Sequence, residues 1–365
     1  MLSLVPVSES VAVVLGTRPE AVKLAEIIAR LGDAAVVLHT GQHWDAALWG
    51  GTAADVGLPA PARVLRVGGG SRGAQLGAVV SALDAVIAEA AMRTTLRAVV
   101  VQGDTTAALG GALAANASEL PLVHVEAGLR SFDRRMPEEH NRVVVDHLAD
   151  LLLAPTELAA GHLAAEGIDP ARVLVTGNTA VGAVRRLLPD VRARAAACAR
   201  LGVRPGGFVL ATLHRPENVD DPEQLAAVLA DLRSLPLPVL LPLHPRARDR
   251  GADTSGLFAV DPLPPRDFLA LQAEAALVVT DSGGVQEECS VLGRPALVVR
   301  RSTERQEVLG TVCELVQPGQ RLRALAAERL ADVAGWRARL EALPCPYGDG
   351  TAAAQSVAAI EQLLA

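Results

Sequence analysis

Residues 11–31 read VAVVLGTRPEAVKLAEIIARL, and this stretch indicates the fold class. Val11–Leu15 is a short run of apolar, largely β-branched residues, which predicts a strand. A tight turn follows at Gly16, and the apolar residues after it recur at about the 3.6-residue spacing of a helix, with Pro19 in its first turn. A strand, a tight turn and a helix form the repeating unit of sheets made of parallel strands.

The start of that helix is also a candidate binding site. The first backbone amides of a helix have no partner within it, so they favour an anion, and Arg18 and Lys23 bring positive charge to the same place. Many α/β units begin in this way without binding a ligand, so an ordinary structural turn is the alternative interpretation.

The alternation of strands and helices continues along the first half of the chain. Apolar runs predict further strands at Ala35–His39, Arg63–Val67, Leu96–Val101, Leu122–Val125, Leu151–Ala154 and Val173–Thr176. Helical spacing predicts helices at Gln75–Ala91, Ala107–Ala115 and Asn141–Leu148. Strands separated by helices predict a parallel, doubly wound sheet.

The pattern restarts after residue 180. The polar, arginine-rich segment Arg185–Arg204 predicts a helical link, and strands are predicted at Phe208–Leu213, Pro238–Leu243, Leu277–Thr280 and Pro295–Val299. We therefore expect an α/β fold of two Rossmann-like doubly wound domains, an N-terminal domain at 1–180 and a C-terminal domain at 181–345. Residues 346–365, which include the apolar helix Ala352–Leu364, are expected to pack back on the N-terminal domain.

Length and composition restrict the class of protein. A chain of 365 residues is long enough for about two domains, and a hydrophobic fraction of 50% supplies two cores. The formal net charge is −7 and the Lys and Arg residues form no block, which argues against binding to nucleic acid or to a membrane. Aromatic residues make up 2% of the chain, so stacking of bases on aromatic side chains is not expected.

The cysteines and the N-terminus indicate the compartment. The four cysteines show neither a CxxC spacing nor a histidine at metal-ligand spacing, which predicts a reduced protein without structural zinc. The N-terminus lacks a cationic region before an apolar stretch, and no apolar run approaches the ~20 residues that span a bilayer. We therefore expect a soluble, cytoplasmic protein.

The segment from Val123 to Arg142, VHVEAGLRSFDRRMPEEHNR, concentrates charge. It holds four carboxylates, four arginines and two histidines directly after an apolar strand. Loops at the carboxyl ends of strands carry the chemistry of many α/β proteins, so this segment is a candidate catalytic loop. A surface loop of ion pairs is the alternative, and we keep that interpretation for Arg130, Arg134 and Arg135.

Two further loops each allow two interpretations. Asp104 stands at the end of a predicted strand and before a helix, where it is either a reactive carboxylate or an N-cap. Gly68–Gly73 matches the GxGxxG pattern of dinucleotide sites, with Asp84 and Glu89 as acids for a ribose. A flexible loop explains three consecutive glycines equally well.

The strand ends of the second half carry a histidine or an Asp-Ser-Gly-Gly run, and each alone also fits an ordinary cap. His214 follows one strand, and Asp281–Gly284 opens a helix whose amides and Ser282 hydroxyl suit a phosphate. Glu288 lies about one turn further, where it can accept hydrogen bonds from ribose hydroxyls. The sequence contains no GxxxxGK[ST] motif, so transfer of a phosphoryl group from ATP is not favoured.

Taken together, these motifs resemble those of the non-hydrolysing UDP-N-acetylglucosamine 2-epimerases over nearly the whole chain. The matching segments are GTRPEAVK (16–23), TGQH (40–43), GDTT (103–106), HVEAGLRSFDRRMPEEHNR (124–142), TGNT (176–179), HRPEN (214–218), DSGGVQEE (281–288), TER (303–305) and PYGDG (346–350). The resemblance implies the B-type glycosyltransferase fold, with two Rossmann-like doubly wound domains facing a central cleft. UDP is then held mainly by the C-terminal domain, and the sugar faces the N-terminal domain.

The resemblance also implies a reaction, in which UDP is eliminated to leave a 2-acetamidoglucal and is then added back while C2 receives a proton on its opposite face. It further implies a UDP-amino sugar substrate, a homodimer and no metal or other cofactor. The implied catalytic residues are Asp104, Glu126, Glu138 and His214. The implied substrate-binding residues are Arg18, Lys23, Gln42, Arg142, Phe268, Ser282, Gly283, Gly284, Glu288 and Arg305. Those expected to shape the catalytic loop are Gly128, Pro137 and Asn141.

The chain departs from the family pattern in several loops. Gln306-Glu307 follows TER where Pro-Glu is usual, Arg300-Arg301 replaces an Arg-Asp pair, and His244-Pro245-Arg246 replaces a histidine followed by Asn-Pro. The Gly68–Gly73 loop is also unusual for the family, and Asp45 lies near the TGQH segment, where some members have a regulatory UDP-sugar site. These departures leave open both the identity of the sugar and the presence of that regulatory site. A hydrolysing epimerase, a glycosyltransferase and a non-catalytic UDP-sugar sensor are the alternative functions.

Overall fold

The structure is a computed structural model that describes residues 9–42, 46–67, 69–89, 95–243 and 245–365. Among the residues of the motifs above, His43, Asp45, Gly68 and His244 lie outside the described residues. The chain forms two units: Met1–Ala183 with Tyr347–Ala365, which we call the N-terminal unit, and Val184–Pro346, which we call the C-terminal unit.

The N-terminal unit is built on a sheet of seven parallel strands in the order β3-β2-β1-β4-β5-β6-β7. The strands are β1 (Ser10–Leu15), β2 (Ala35–His39), β3 (Arg63–Val64), β4 (Leu96–Gln102), β5 (Leu122–Val125), β6 (Leu151–Ala154) and β7 (Val173–Val175). The helices are α1 (Arg18–Leu31), α2 (Ala46–Val56), α3 (Arg72–Ala88), α4 (Thr106–Ala117), α5 (Pro137–Leu148), α6 (Glu157–Ala165) and α7 (Thr179–Leu187), which continues into the second unit. The direction of winding reverses between β1 and β4, which makes that gap the topological switch point.

Both faces of this sheet are covered by helices. Val11, Val13 and Leu15 of β1 belong to one buried cluster with α1, whereas Ala12 and Val14 belong to another with α4. Successive side chains of a strand point to opposite faces, so a strand that is buried on both faces is a continuous apolar run. This explains why β1 is recognisable in the sequence.

The C-terminal unit repeats the design with six parallel strands in the order β10-β9-β8-β11-β12-β13. The strands are β8 (Val209–Thr212), β9 (Val239–Pro242), β10 (Phe258–Val260), β11 (Leu277–Thr280), β12 (Ala296–Val299) and β13 (Cys313–Val316). The helices are α8 (Val191–Arg200), α9 (Pro216–Val219), α10 (Pro222–Arg233), α11 (Pro245–Asp249), α12 (Pro265–Glu274), α13 (Gly283–Leu292), α14 (Gln320–Ala331) and α15 (Val333–Glu341). This strand order is that of the Rossmann fold, with the switch point between β8 and β11.

The last helix, α16 (Ala352–Leu364), belongs to the N-terminal unit. Its apolar face is buried, because Ala353, Val357 and Ile360 lie in the same cluster as Leu24 and Ile28 of α1. Of the helices in the described part of the chain, none has the length and apolar character that crossing a membrane requires.

Several element boundaries differ from the sequence prediction for identifiable reasons. The expected strand at 63–67 is reduced to Arg63–Val64 at the edge of its sheet, where it pairs with β2 alone. Helix α5 begins at Pro137 rather than at Asn141, since proline is favoured at the first helical position and two glutamates follow in the first turn. The strands β10 and β13 were not predicted from the sequence, and β10 is a three-residue strand with little burial.

Candidate active site

Polar residues gather where strands end beside the switch point of each sheet. In the N-terminal unit they lie in the loops after β1, β4 and β5, and in the C-terminal unit they lie in the loops after β8 and β11. Parallel strands end at the same edge of a sheet, and α/β proteins bind ligands at the switch point of that edge. Each unit therefore has a candidate site of its own.

Glu126 occupies a strained and buried position after β5. Its φ is +71° and it is 7% exposed, in a backbone region that costs a residue other than glycine about 1 to 3 kcal/mol. Its Oε2 atom forms an ion pair with the buried Lys23, and accepts hydrogen bonds from Gln102 Nε2 at 3.0 Å and Asn178 Nδ2 at 3.3 Å. Side chains from three other parts of the unit therefore hold one carboxylate oxygen in place.

A second buried carboxylate, that of Glu20, joins the loops after β1 and β4. Its Oε2 atom accepts hydrogen bonds from the amides of Gly16 and Thr17 and from the Thr17 hydroxyl, at 2.7 to 3.0 Å. Its Oε1 atom accepts a hydrogen bond from Thr105 Oγ1 at 2.7 Å. Burial raises the pKa of Glu20, against the opposing effect of the hydrogen bonds from Thr105, Thr17 and Gly16. Glu20 thereby fixes the start of α1 relative to the start of α4.

Three predicted site residues are held less tightly. Arg18 is the first residue of α1 and is half-buried, and Glu138 is half-buried in the first turn of α5. Within the described part of the chain, no hydrogen bond or ion pair holds the side chain of either residue. Gln42 Oε1 accepts a hydrogen bond from the Ala107 amide at 3.2 Å, which ties the loop after β2 to α4. The side chains of Arg18 and Glu138 are therefore partly exposed, each at the start of a helix.

Asp104 is paired with Arg142 rather than acting as a helix cap. Thr105 is the N-cap of α4, since its side chain accepts the backbone hydrogen bond in the first turn, so the capping interpretation of Asp104 is wrong. The Asp104 carboxylate forms an ion pair with the buried Arg142, which also binds Glu139. Asn141 Nδ2 donates to the Asp104 carbonyl at 2.7 Å, so α5 holds both the side chain and the backbone of Asp104.

The glycine-rich loop before α3 supports the same helix. Ser71 is the N-cap of α3, and Arg72 Nη2 donates to Asn141 Oδ1 at 2.6 Å and to the carbonyl of the first residue of α5 at 3.0 Å. Glu89, one of the two acids considered for binding a ribose, forms an exposed ion pair with Arg63 at 3.0 Å, and this contact does not support that role. The contacts of Arg72 thus connect this loop to the Asp104 site.

Arg130 contradicts the surface interpretation. It is 1% exposed and donates to Asp146 at 2.7 Å and to Glu166 at 2.8 and 2.6 Å. Burial opposes its charge, but the hydrogen bonds and charges of Glu166 and Asp146 raise the pKa of Arg130. Arg134 and Arg135 are exposed, as predicted. The sequence cannot distinguish these arginines because all three lie in one polar segment.

In the C-terminal unit, His214 and Asp281 form a pair across the switch point. The His214 side chain is 41% exposed, and its Nδ1 atom lies 2.9 Å from Oδ1 of the fully buried Asp281. The amides of His214 and Arg215 and the side chain of Asn218 donate to the same carboxylate at 2.9 to 3.1 Å. Burial alone would raise the pKa of Asp281, but the charge of His214 and these hydrogen bonds lower it to about 2. Asp281 is therefore an ionised acceptor that orients the histidine ring.

The loop after β11 leads into the start of α13. Ser282 is the N-cap, and its amide donates to Thr280 Oγ1 at 3.0 Å. Gly283 and Gly284 form the first turn, and a Cβ atom at Gly283 would lie 2.7 Å from Glu304 Oε1. The first amides of a helix favour an anion, and glycine lets an anion approach the backbone closely.

Buried ion pairs surround this helix start. Glu304 binds Arg300 at 2.8 Å and Arg305 at 2.5 Å, and Arg215 lies 3.8 Å away. Arg305 also binds Glu287 at 2.7 Å. Burial lowers the pKa of Arg300, and the charges of Arg215 and Arg305 act in the same direction, against the effect of Glu304. Three guanidinium groups, those of Arg215, Arg300 and Arg305, therefore lie around Glu304 next to the start of α13, and guanidinium groups bind phosphate through charge-assisted hydrogen bonds.

The other predicted nucleotide contacts, Phe268 and Glu288, lie in α12 and α13 and are half-buried. Both belong to the C-terminal unit, together with the loop from Asp281 to Gly284. All the residues that the resemblance assigns to UDP binding in the C-terminal domain therefore lie in one unit.

Known proteins with similar sequences identify the family. The family model for UDP-N-acetylglucosamine 2-epimerase matches residues 27–361. This chain belongs to the UDP-N-acetylglucosamine 2-epimerase family. A UDP-N-acetylglucosamine 2-epimerase from Methanocaldococcus jannaschii is 36% identical over 82% of this chain and 85% of its own length. A UDP-2,3-diacetamido-2,3-dideoxy-D-glucuronate 2-epimerase from Pseudomonas aeruginosa is 35% identical over 81% of this chain and 84% of its own length.

Solved structures agree with this assignment. The M. jannaschii UDP-GlcNAc 2-epimerase in complex with UDP-GlcNAc and UDP has a TM-score of 0.85 and 32% identity, over 97% of this chain and 99% of that one. The Neisseria meningitidis UDP-GlcNAc 2-epimerase bound to UDP-GlcNAc has a TM-score of 0.86 and 27% identity, over 97% and 100% of the two chains. This epimerase is accordingly an isomerase, and its two doubly wound α/β units are those of the B-type glycosyltransferase fold.

Some residues that hold the candidate catalytic side chains of this epimerase were not assigned from the sequence. Asp281, Gln102 and Asn178 all contact a candidate catalytic side chain. Asp281 lies in the DSGG run and Asn178 in the TGNT run, so the motifs already contained a signal for both. Gln102 ends β4 and precedes the GDTT run, and its strand-end position was the signal available there.

Proposed function

We propose that this epimerase interconverts UDP-N-acetylglucosamine and UDP-N-acetylmannosamine by eliminating UDP and adding it back with inversion at C2. C2 neighbours an acetal carbon and has no adjacent carbonyl to accept charge, so direct loss of its proton is difficult. Expelling UDP as that proton leaves avoids the problem, because the electrons of the C2–H bond form the C1–C2 double bond. The electrons of the C1–O bond depart with UDP.

The return step completes the balance. A proton is added to C2 from the opposite face, and a phosphate oxygen of UDP forms the bond to C1 again. The reaction thus needs acid and base groups that reach two faces of the sugar, together with a firm hold on the leaving diphosphate. A positioned acid or base contributes roughly 10²- to 10⁴-fold to the rate.

We assign the acid and base roles to the N-terminal unit. The candidates are Asp104, Glu126 and Glu138, which lie at the ends of β4 and β5 and at the start of α5. The observation that carries the proposal is the position of Glu126, whose strained backbone and three side-chain partners fix one carboxylate at the edge of the sheet. Asp104 is held through Arg142, whereas Glu138 has no such partner among the described residues.

We assign UDP to the C-terminal unit. The Ser282 hydroxyl, the amides of Gly283 and Gly284 and the guanidinium groups around Glu304 favour the diphosphate, and Glu288 suits the ribose. We expect His214, oriented by Asp281, to donate a proton or a hydrogen bond to the departing phosphate. Arg18, Lys23, Gln42, Arg142, Phe268 and Arg305 complete the proposed substrate contacts.

The amino sugar needs a direct test, because relatives of nearly equal identity differ in substrate. The M. jannaschii relative is named for UDP-N-acetylglucosamine and the P. aeruginosa relative for a UDP-2,3-diacetamido-2,3-dideoxy-D-glucuronate. UDP-2,3-diacetamido-2,3-dideoxy-D-glucuronate is therefore the second candidate substrate. The two sugars differ by a carboxylate and a second acetamido group, so a preference should be clear in kcat/KM.

The deciding experiment is incubation with each UDP-sugar in D₂O, followed by NMR. The proposal expects the 2-epimer to appear with the UDP linkage retained and deuterium at C2. Release of free sugar and UDP would identify a hydrolysing enzyme instead. Tight binding of the UDP-sugar without exchange over several hours would identify a sensor.

Family membership also supports two proposals about the state of the protein. We expect a homodimer in solution, and we expect the enzyme to act in the cytoplasm, where nucleotide sugars are substrates. Light scattering on the purified protein measures the first, and a mass of about 38 kDa for the particle, equal to the 37.8 kDa chain, would contradict it.

A further inference from the structure

A chain of four side chains, three of them buried, lies beneath the loops that carry two of the proposed catalytic carboxylates. Glu166 accepts two hydrogen bonds from Arg130, at 2.8 and 2.6 Å, and Arg130 donates to Asp146 at 2.7 Å. Asp146 Oδ1 lies 2.6 Å from His124 Nδ1. Arg130 is 1% exposed, and Asp146 and His124 are fully buried. Glu166 is partly exposed, and we call the four residues together the relay.

One end of the relay reaches the loop of Asp104. His124 Nε2 lies 2.9 Å from the carbonyl of Gly103, and the Gly103 amide donates to the Val125 carbonyl at 3.0 Å. Both backbone groups of Gly103 are therefore bound by neighbouring residues of β5. Gly103 has a φ of +69°, so these bonds hold the turn that sets the direction of Asp104.

The same relay also reaches the loop of Glu126. The Gly128 amide donates to Asp146 Oδ2 at 3.2 Å, two residues after Glu126. Burial alone would raise the pKa of Asp146, but the charges and hydrogen bonds of His124 and Arg130 lower it. Asp146 is thus an ionised acceptor that is connected to both loops. It reaches the Asp104 loop through His124, and it binds the Gly128 amide in the Glu126 loop directly.

Stability alone is a poor explanation for such an arrangement. Burying charged groups carries a large desolvation cost, and well-packed apolar residues often stabilise a fold as well or better. The relay instead ends on backbone groups adjacent to two carboxylates. Catalysis is sensitive to such placement, since a displacement of about 1 Å can cost on the order of 10²-fold in rate.

We propose that His124 and Asp146 are positioning residues that fix Asp104 and Glu126 relative to each other, with Arg130 and Glu166 supporting them. This proposal rests on the assignment of Asp104 and Glu126 to the epimerisation. The relay acts on these two carboxylates through the Gly103 carbonyl and the Gly128 amide.

The first test is His124→Gln, measured by C2 exchange in D₂O and by UDP affinity. Glutamine can donate to the Gly103 carbonyl or to Asp146 but cannot replace both bonds of the ring. We expect kcat to fall by about 10²-fold, with KM and UDP affinity within about threefold of the wild type. Arg135→Ala is the control, because Arg135 lies in the same segment and is exposed. It should leave kcat within about twofold.

A double-variant cycle separates positioning from general structural support. If His124 acts through Asp104, His124→Gln should lower the residual exchange rate by less than about threefold in an Asp104→Asn background. An equal loss in both backgrounds overturns the proposal. So does an undiminished kcat in His124→Gln, whereas absence of exchange in the wild type counts against the proposed function instead.

A milder variant covers the case in which His124→Gln does not fold. Glu166 is at the partly exposed end of the relay, and Glu166→Gln keeps its shape while removing its charge. We expect kcat to fall by about 3- to 10-fold with unchanged KM and UDP affinity. A kcat equal to that of the wild type in this folded variant overturns the proposal.

Discussion

The Nδ1 atom of His214 lies 2.9 Å from Oδ1 of Asp281, and these two side chains differ completely in exposure. The aspartate is fully buried, while 41% of the histidine side chain is exposed. A buried carboxylate that accepts the Nδ1 hydrogen fixes the ring and leaves Nε2 as the atom that exchanges protons. Because the pKa of Asp281 is about 2, the carboxylate stays ionised at neutral pH.

The first prediction concerns Asp281 and pH. We expect Asp281→Asn to lower the free energy of unfolding by about 2 kcal/mol at pH 7, since a pKa lowered from 3.8 to about 2 corresponds to about that amount. The folded-state pKa lies below the unfolded one, so this stability is complete above pH 3.8 and is lost as the pH falls through about 2. Denaturant unfolding at several pH values measures the difference between the two proteins.

Asp261→Asn is the matched control, because Asp261 is an exposed carboxylate of the same unit that pairs with Arg248 at 2.6 Å. It should change the free energy of unfolding by less than about 0.5 kcal/mol at every pH. If Asp281→Asn lowers the free energy of unfolding by as much at pH 3 as at pH 7, the stability does not depend on the lowered pKa of Asp281.

The strands at the centre of each sheet could be predicted from the sequence. Leu122–Val125 and Leu277–Thr280 have their predicted limits because they are buried on both faces and are mostly apolar, with His124 and Thr280 as their polar residues. Edge strands such as Phe258–Val260 lack that pattern, since Phe258 is 49% exposed and its face meets solvent. The sequence therefore predicts the central strands of each sheet better than the edge strands.

The partners of the site residues could not be predicted in the same way. The motifs identified Lys23 and Glu126 as site residues, but 103 positions separate them and nothing local shows that they pair. Arg130 was misread for the same reason, because its burial depends on Asp146 and Glu166 in other elements. Periodicity reports which face of an element is buried, whereas pairing depends on how elements are arranged in space.

The second prediction concerns the pair of Lys23 and Glu126. We expect Lys23→Met to lower kcat for C2 exchange by at least 10²-fold and to lower the free energy of unfolding by about 3 to 5 kcal/mol, because a buried carboxylate loses its cation. Adding Glu126→Gln should recover much of the stability but none of the activity. Exchange kinetics and denaturant unfolding measure the two effects.

Arg30→Met is the control for that pair. Arg30 lies on the same helix and forms an exposed ion pair with Glu26 at 2.9 Å. It should leave kcat within about twofold and the free energy of unfolding within about 0.5 kcal/mol. Full activity in Lys23→Met would remove Lys23 and its ion pair from the proposed site.

The third prediction concerns Gly128, in the turn after Glu126. Its φ is +81°, and a Cβ atom there would lie 2.3 Å from the carbonyl oxygen of Ala159. We expect Gly128→Ala to lower the free energy of unfolding by about 2 to 4 kcal/mol, because the strained backbone and the clash with a fixed carbonyl add together. Loss of C2 exchange should accompany it, since the turn also positions Glu126.

Gly161→Ala tests the same chemical change in α6, where nothing lies within 4 Å of the added atom. Alanine favours a helix over glycine, so this variant should be more stable by up to about 1 kcal/mol. If the two substitutions change the free energy of unfolding equally, the close packing around Gly128 is not what requires glycine there.

The fourth prediction compares Gly283 and Gly284 at the start of α13. A Cβ atom at Gly283 would lie 2.7 Å from Glu304 Oε1, and that carboxylate is fixed by Arg300 and Arg305. We expect Gly283→Ala to lower the free energy of unfolding by about 1 to 3 kcal/mol and to weaken UDP binding by about tenfold, because the ion pairs beside the proposed diphosphate site must shift.

Gly284→Ala provides the comparison, because the nearest atom to its added Cβ is Ser282 Oγ at 4.0 Å. The unliganded protein should lose no stability and can gain up to about 1 kcal/mol. Calorimetric titration with UDP and denaturant unfolding of both variants measure the contrast. If Gly283→Ala binds UDP as tightly as the wild type, the ion pairs around Glu304 do not shape the diphosphate site, and the assignment of UDP to this helix start would have to be abandoned.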